Sequence, residues 1–200
     1  MIPRKEYLQQ LLENTKQLYD SFEYPNLDLS LAKITYIPTK KRNYLGIRAG
    51  IDGLSEMKRY NVREVDSIRK NCMFYNKYYK VDEKVLQIDC FVAGHDRLAC
   101  TYVAYYENNC RYLFPFHNQT KDIGAYILVT RFENDRVVEE YFVRNGQIVY
   151  ESYEYSDNNI VKNYAINYVP LGKYPVITES KGYYLLDTLE YVQEEQYVGY

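Results

Sequence analysis

The amino-acid sequence predicts an α+β fold: an N-terminal amphipathic helix and a short second helix packed on one face of a large, twisted antiparallel β-sheet, a meander of about eight to ten strands. Three observations predict it. The first residues repeat apolar side chains with helical period, short polar turns recur roughly every 11 to 14 residues after position 73, and 26 of the 200 residues are tyrosine. Tyrosine favours strands and keeps one wet edge, so a sheet with thin helical cover can bury one side of each ring and wet the other. The same rings also suit a recognition surface, because they bring large contact area at low rotamer entropy.

The first element is the clearest. Tyr7, Leu8, Leu11, Leu12, Thr15, Leu18, Tyr19 and Phe22 recur at three- and four-residue spacing, while Lys5, Gln9, Glu13, Lys16 and Asp20 take the opposite face. Pro3 near the first turn and Tyr24-Pro25 after the last delimit a helix of about 19 residues. Strands are expected over 31–37 and 44–51, separated by the basic loop Pro38-Thr39-Lys40-Lys41-Arg42-Asn43. Asn61 followed by Glu64 reads as a capping box, with Val62, Val65, Ile68 and Cys72 on one face of a second helix over 62–72. The chain is expected to be one domain, with a helix in 1–25, strands and the second helix in 26–72, and an antiparallel meander in 73–200.

Turns at Gly94-His95-Asp96, Asn108-Asn109, Asn134-Asp135, Asn145-Gly146 and Asp157-Asn158-Asn159 divide that meander. Asn145-Gly146 tolerates the positive φ of a type I′ turn, and its two-residue closure pairs Val143 with Ile148, Tyr141 with Tyr150, Glu140 with Glu151 and Val138 with Tyr153. A similar turn at Asp157-Asn158 pairs Tyr153 with Lys162, Glu151 with Tyr164 and Val149 with Ile166. One face then collects Val138, Phe142, Val149, Tyr153, Tyr164, Ile166 and Tyr168 as the core side. The other holds Glu139, Tyr141, Val143, Ile148, Tyr150, Ser152, Glu154 and Asn163. Glu140 opposite Glu151 places two carboxylates where they repel, unless a neighbour or a cation neutralises them.

Composition narrows the class. The chain carries 25 Lys and Arg against 27 Asp and Glu, so its net charge of −2 offers no strong overall steering toward nucleic acid or an anionic membrane. With 46% hydrophobic residues, nine Gly and six Pro, it lies outside the disordered and collagen-like ranges. No apolar run approaches the roughly 18 residues of a spanning helix, and the charged start is unlike a signal peptide, so a cytoplasmic protein without a membrane partner is expected.

Local charge is uneven, with 15 basic and 9 acidic side chains in residues 1–80 against 5 and 11 in 135–200. The basic part interleaves with tyrosines, and Lys40, Lys41, Arg42, Lys58, Arg59 and Tyr60 form a candidate surface for a nucleotide or a single-stranded nucleic acid. The acidic part, with Glu190, Glu194 and Glu195 among Tyr191, Tyr197 and Tyr200, suits docking on a basic partner. Cys72, Cys90, Cys100 and Cys110 form no CxxC pair and lack histidines at ligand spacing, so no metal and no cofactor is expected. Buried, reduced thiols are the main reading. A three-residue loop at 94–96 would set Cys90 opposite Cys100, which leaves a cross-strand disulfide as an alternative.

Motifs for nucleotide cradles, hydrolase elbows, zinc proteases and EF-hands are missing. A catalytic site would need His95 with Cys90 or Cys100, or the Glu140–Glu151 pair. The units Asn134-Asp135-Arg136-Val137-Val138, Asn145-Gly146-Gln147-Ile148-Val149 and Asn158-Asn159-Ile160-Val161 repeat one theme, a polar turn followed by β-branched residues. Over about 35 residues this resembles the Tyr- and Asn-Gly-rich hairpin repeats, related to MORN repeats, of YwqK-type bacterial antitoxin and immunity proteins. The resemblance implies a non-enzymatic inhibitor that binds a toxin or a defence or counter-defence component. On that reading Tyr141, Ile148, Tyr150, Glu139 and Glu154 carry the partner surface; nucleic-acid binding is the alternative and an enzyme with a Glu, His and Tyr site the third.

Overall fold

The structure, a computed structural model, describes residues 5–39, 47–70, 72–92, 97–117, 126–144, 146–156, 159–169 and 176–199. Among the described residues, eleven strands and two helices account for the regular elements, so the chain is mostly β rather than α+β. It divides into two compact units, one of residues 23–124 and one of residues 1–22 with 125–200.

In the first unit, β1 (Lys33–Pro38), β2 (Tyr75–Val81), β3 (Lys84–Val92), β4 (Arg97–Glu107) and β5 (Cys110–His117) pair antiparallel in chain order. Helix α2 (Ile51–Arg59) lies in the connection from β1 to β2. In the second unit, α1 (Lys5–Ser21) accompanies β6 (Tyr126–Glu133), β7 (Arg136–Arg144), β8 (Gln147–Tyr155), β9 (Ile160–Val169), β10 (Val176–Leu185) and β11 (Glu190–Gly199), again antiparallel neighbours in order.

The expected first helix is α1, whose apolar stripe buries Leu8 and Thr15 and which packs on β8. The expected second helix is absent, because Asn61 stands at the opposite kind of helix end. Its φ of 50° is left-handed, whereas an N-cap is extended. Asn61 donates its N–H to the Lys58 carbonyl at 2.9 Å, and Val62 donates to Met57 at 2.8 Å. This pair of bonds is the Schellman motif that closes a helix with glycine or asparagine in the left-handed position. The helix it closes is α2, which begins at Ile51, the last residue of the strand expected over 44–51; residues 47–50 form no strand, and 44–46 lie outside the described residues. Only Ile51, Leu54 and Met57 mark α2 as apolar, and Gly53 inside it approaches Arg48 so closely that a Cβ would stand 2.7 Å from the carbonyl oxygen. Downstream, Val65 bridges Tyr36 and Glu64 takes Lys80 at 2.7 Å, and 62–69 contains no helix.

Left-handed residue pairs close the hairpins. Asp82-Glu83, Asn108-Asn109 and Asn134-Asp135 all have positive φ, the requirement of a type I′ turn. Gly146 has φ 75°, and the β7–β8 register is the expected one, with Tyr141 opposite Tyr150 and Glu140 opposite Glu151. Asn145, Asp157 and Asn158, like the 94–96 turn, lie outside the described residues.

The β8–β9 pairing differs by one residue. Tyr150 faces Ile166 and Ser152 faces Tyr164, rather than Glu151 facing Tyr164. The cause is Asn159, a left-handed residue at φ 59°, after which Ser156 donates its N–H to Ile160 at 3.1 Å. One more residue is spent in the turn than a two-residue closure uses, and every β9 side chain changes face. Tyr164, Ile166 and Tyr168 therefore join Tyr141, Ile148 and Tyr150, and this is the face that α1 covers. Tyr7 meets Tyr150 edge-on at 6.3 Å between centroids.

If Asn61 ends α2 in the left-handed region, Asn61→Gly keeps stability while Asn61→Ser costs about 1 kcal/mol, read from the urea midpoint. Equal stability of the serine variant, as an N-cap would give, overturns the assignment.

Candidate functional site

Register orders the α1 face of the second unit into rows, one residue per strand. The first row, Ile127, Val143, Ile148, Tyr168 and Ile177, is almost wholly apolar. The second, Val129, Tyr141, Tyr150, Ile166, Glu179 and Tyr197, mixes rings with aliphatics. The third is polar along its whole length: Arg131, Glu139, Ser152, Tyr164, Lys181 and Glu195. The chemistry of this face thus changes from core to charged along the strands within three rows.

At the charged end opens a cleft of about 500 Å³, lined by third-row residues together with Glu154, Lys162 and Glu194. Two bulges bound it. Between Arg131 and Phe132 the pairing with β7 shifts, leaving Val138 as the extra residue, and between Lys181 and Gly182 the pairing with β11 shifts, leaving Glu194 extra. Bulges bend and twist the strand that carries them, so two in one sheet curve the surface between them. Gly182 permits the second, since a Cβ there would stand 2.3 Å from the Val192 carbonyl and 2.6 Å from the Tyr191 ring.

Glu139 is the hub of the cleft. It accepts from the Tyr150 hydroxyl at 2.7 Å, from Arg131 Nε at 2.7 Å and from the Tyr7 hydroxyl of α1 at 3.4 Å. Arg131 also reaches Glu133. Hydrogen bonding to Glu139, ahead of the opposing effect of desolvation, pushes the Arg131 guanidinium further toward its charged form. Burial, and then the Glu139 charge, hold the Tyr150 proton well above the ordinary range, and burial followed by Glu179 does the same for Tyr164. At the cleft mouth Lys181 and Glu195 pair at 2.9 Å, an exposed contact.

Of the residues expected to form a partner surface, Tyr141, Ile148 and Tyr150 are core. Ile148 is 0% and Tyr150 2% exposed, because the shifted β9 register gives them apolar neighbours and α1 covers them. Glu139 and Glu154 line the cleft instead. Among the candidate nucleic-acid contacts, Lys40, Lys41 and Arg42 lie outside the described residues. Lys58 and Arg59 sit exposed in the last turn of α2, where cations complement the carbonyl end of a helix, and Tyr60 follows, 48% exposed.

Glu140 and Glu151 do oppose each other, 1% and 8% exposed, with Thr130 donating to the first at 3.0 Å and Tyr153 to the second. His95 lies outside the described residues. Among the described residues no group of three or more His, Cys, Asp and Glu is placed to hold a metal ion, and no helix is long and apolar enough to cross a membrane.

Glu139 was singled out from sequence for a partner surface and not as a hub, and Asp89 was not singled out at all. In the first unit Asp89, 6% exposed, accepts from Tyr79, Gln87 and Thr101 at 3.1, 2.9 and 2.8 Å. Its signal was present, since acid, amide and hydroxyl alternate with apolar residues along β3 and β4. Arg131 gave no such signal, because a two-residue turn at Asn134-Asp135 without the bulge pairs it with Val138. No protein-family model, curated protein or solved structure matches the chain.

The rows make two tests. Ile148→Ala is expected to cost about 2–5 kcal/mol in chemical unfolding, as a fully buried aliphatic does, while Glu154→Ala stays within about 0.5 kcal/mol. Alkaline titration is the second. Burial raises the hydroxyl of Tyr112 to about 12 and moves those of Tyr78, Tyr150 and Tyr164 above the ordinary value as well. These groups keep their protons when folded and lose them when unfolded, so the unfolded state binds fewer protons once pH passes about 10, and stability falls from there. Tyrosinate absorbance should rise in two stages, the second coinciding with loss of structure; a single stage near the ordinary value is the contrary result.

Proposed function

We propose that the protein is a non-enzymatic, protein-binding inhibitor of the immunity or antitoxin kind, acting on a toxin or a defence or counter-defence component. Its partner surface is β11 with the rim of the cleft, where Glu139 and Glu154 remain, and Tyr141, Ile148 and Tyr150 are the platform beneath. The observation supporting this reading is β11 itself. It pairs with β10 alone among the described residues, is exposed along most of its length, and carries Tyr197 and Val198 at 65% and 50% exposure.

An open strand edge offers main-chain donors and acceptors to an extended segment of another chain. Glu190, Glu194 and Glu195 select a basic segment and speed its approach. The hairpin-repeat resemblance over 134–168 agrees with this class. A second reading, nucleotide or single-stranded nucleic-acid binding, draws on the consecutive exposed Lys58, Arg59 and Tyr60.

Affinity capture from the source organism, with and without nuclease, separates the two. One stoichiometric protein that survives nuclease, is kept by K58E/R59E and is lost with E190K/E194K/E195K is the expected result. Recovery of RNA, DNA or a nucleotide that K58E/R59E abolishes overturns it in favour of the second reading.

A further inference from the structure

We propose that Cys90 and Cys100 form a dithiol exchange site that takes a small-molecule disulfide, Cys100 attacking and Cys90 resolving. The two are direct partners across β3 and β4, and they share a sheet face with the neighbouring pair Ile88 and Tyr102. Directly opposed antiparallel positions hold their Cα atoms about 4.5–5.5 Å apart, inside the span a disulfide bridges. Neither cysteine is in a disulfide. The register shifts immediately beyond them, between Cys90 and Phe91, so the ladder on that side is already interrupted where a bridge would need to adjust the strands.

The pair is asymmetric in the way exchange requires. Cys90 is 0% exposed, whereas Cys100 is only partly covered, which makes it the more accessible residue of the pair. Hydrogen bonding with Cys90 draws the Cys100 thiol below the ordinary value against the effect of burial, with Tyr102 adding to it. The same hydrogen bond, with burial, drives the Cys90 thiol up. A thiol drawn down and exposed is the nucleophile; one held up and buried waits as a thiol.

The steps balance. The Cys100 thiolate attacks one sulfur of the small disulfide, forming a mixed disulfide and releasing a thiolate that takes a proton from solvent. Cys90 then gives up its proton and attacks the Cys100 sulfur, closing the cross-strand bond and expelling the second thiol. The protein loses two electrons and two hydrogens, and the small disulfide becomes two thiols.

The experiment uses the full chain equilibrated in oxidised and reduced glutathione at graded ratios, then alkylated and mapped by mass spectrometry. The expected result is a loss of two hydrogens, one cross-linked peptide pair joining Cys90 to Cys100, and alkylation of Cys72 and Cys110 throughout. In the reduced native protein, Cys100 should alkylate at least about tenfold faster than Cys90. Cys90→Ala should stop at glutathione on Cys100, and because that variant alters the core, the wild-type map decides alone. Alkylation of all four cysteines at the most oxidising ratio, or glutathione settling on Cys72 or Cys110 ahead of Cys100, overturns the proposal.

Discussion

Strand register in this protein depends on how many residues each turn takes. Asp82-Glu83, Asn108-Asn109 and Asn134-Asp135 each spend two, and the pairs beyond them, such as Glu107 with Cys110, start in step. Where a turn ends on Asn159, the next strand is displaced by one, and with a side-chain period of two that displacement exchanges the faces of β9 completely. The core of the α1 unit exists because Tyr164, Ile166 and Tyr168 land beside Tyr141, Ile148 and Tyr150. Without the displacement, Tyr164, Ile166 and Tyr168 would stand on the face of Phe142, Val149 and Tyr153, away from α1.

Glu139 shows what the sheet does with charge at the edge of that core. The carboxylate is mostly covered, and it stands in company with a guanidinium and two phenolic hydroxyls. Hydrogen bonds to a charged group contribute more than neutral ones, about 1.5–3 kcal/mol each where water is excluded, while a half-exposed ion pair adds little by itself. The value of the cluster lies in geometry. It joins α1 to β6, β7 and β8 at one point, and it fixes the border between apolar rows and open cleft.

Much of this architecture was legible in the sequence. The periodicity of residues 7–22 marked α1 because eight apolar positions repeat on one face, and Asn145-Gly146 settled the β7–β8 pairing because few residues tolerate that turn. The α2 region was illegible for physical reasons. A nine-residue helix with three large apolar residues, Ile51, Leu54 and Met57, and with Gly53 inside it gives too short a signal, and Asn61 is chemically suited to either end of a helix, so only its φ decides. The cleft was hidden by the bulges, since an extra residue such as Val138 or Glu194 changes a register without any distinctive side chain. Glu139 and Glu154 were placed on one face correctly, but the role of that face was inverted by the β8–β9 turn.

The acidic character of β11 has a consequence for the protein in the company of its own copies. A strand edge without a second partner among the described residues is self-complementary, and Tyr197 and Val198 make this one adhesive. Laying a second β11 against the first would crowd Glu190, Glu194 and Glu195 of both chains into one narrow ribbon, with a bulge interrupting the flat backbone that stacking needs. Repulsion between like molecules therefore guards the edge at neutral pH, and colloidal stability at high concentration rests on a few surface carboxylates rather than on the strength of the core.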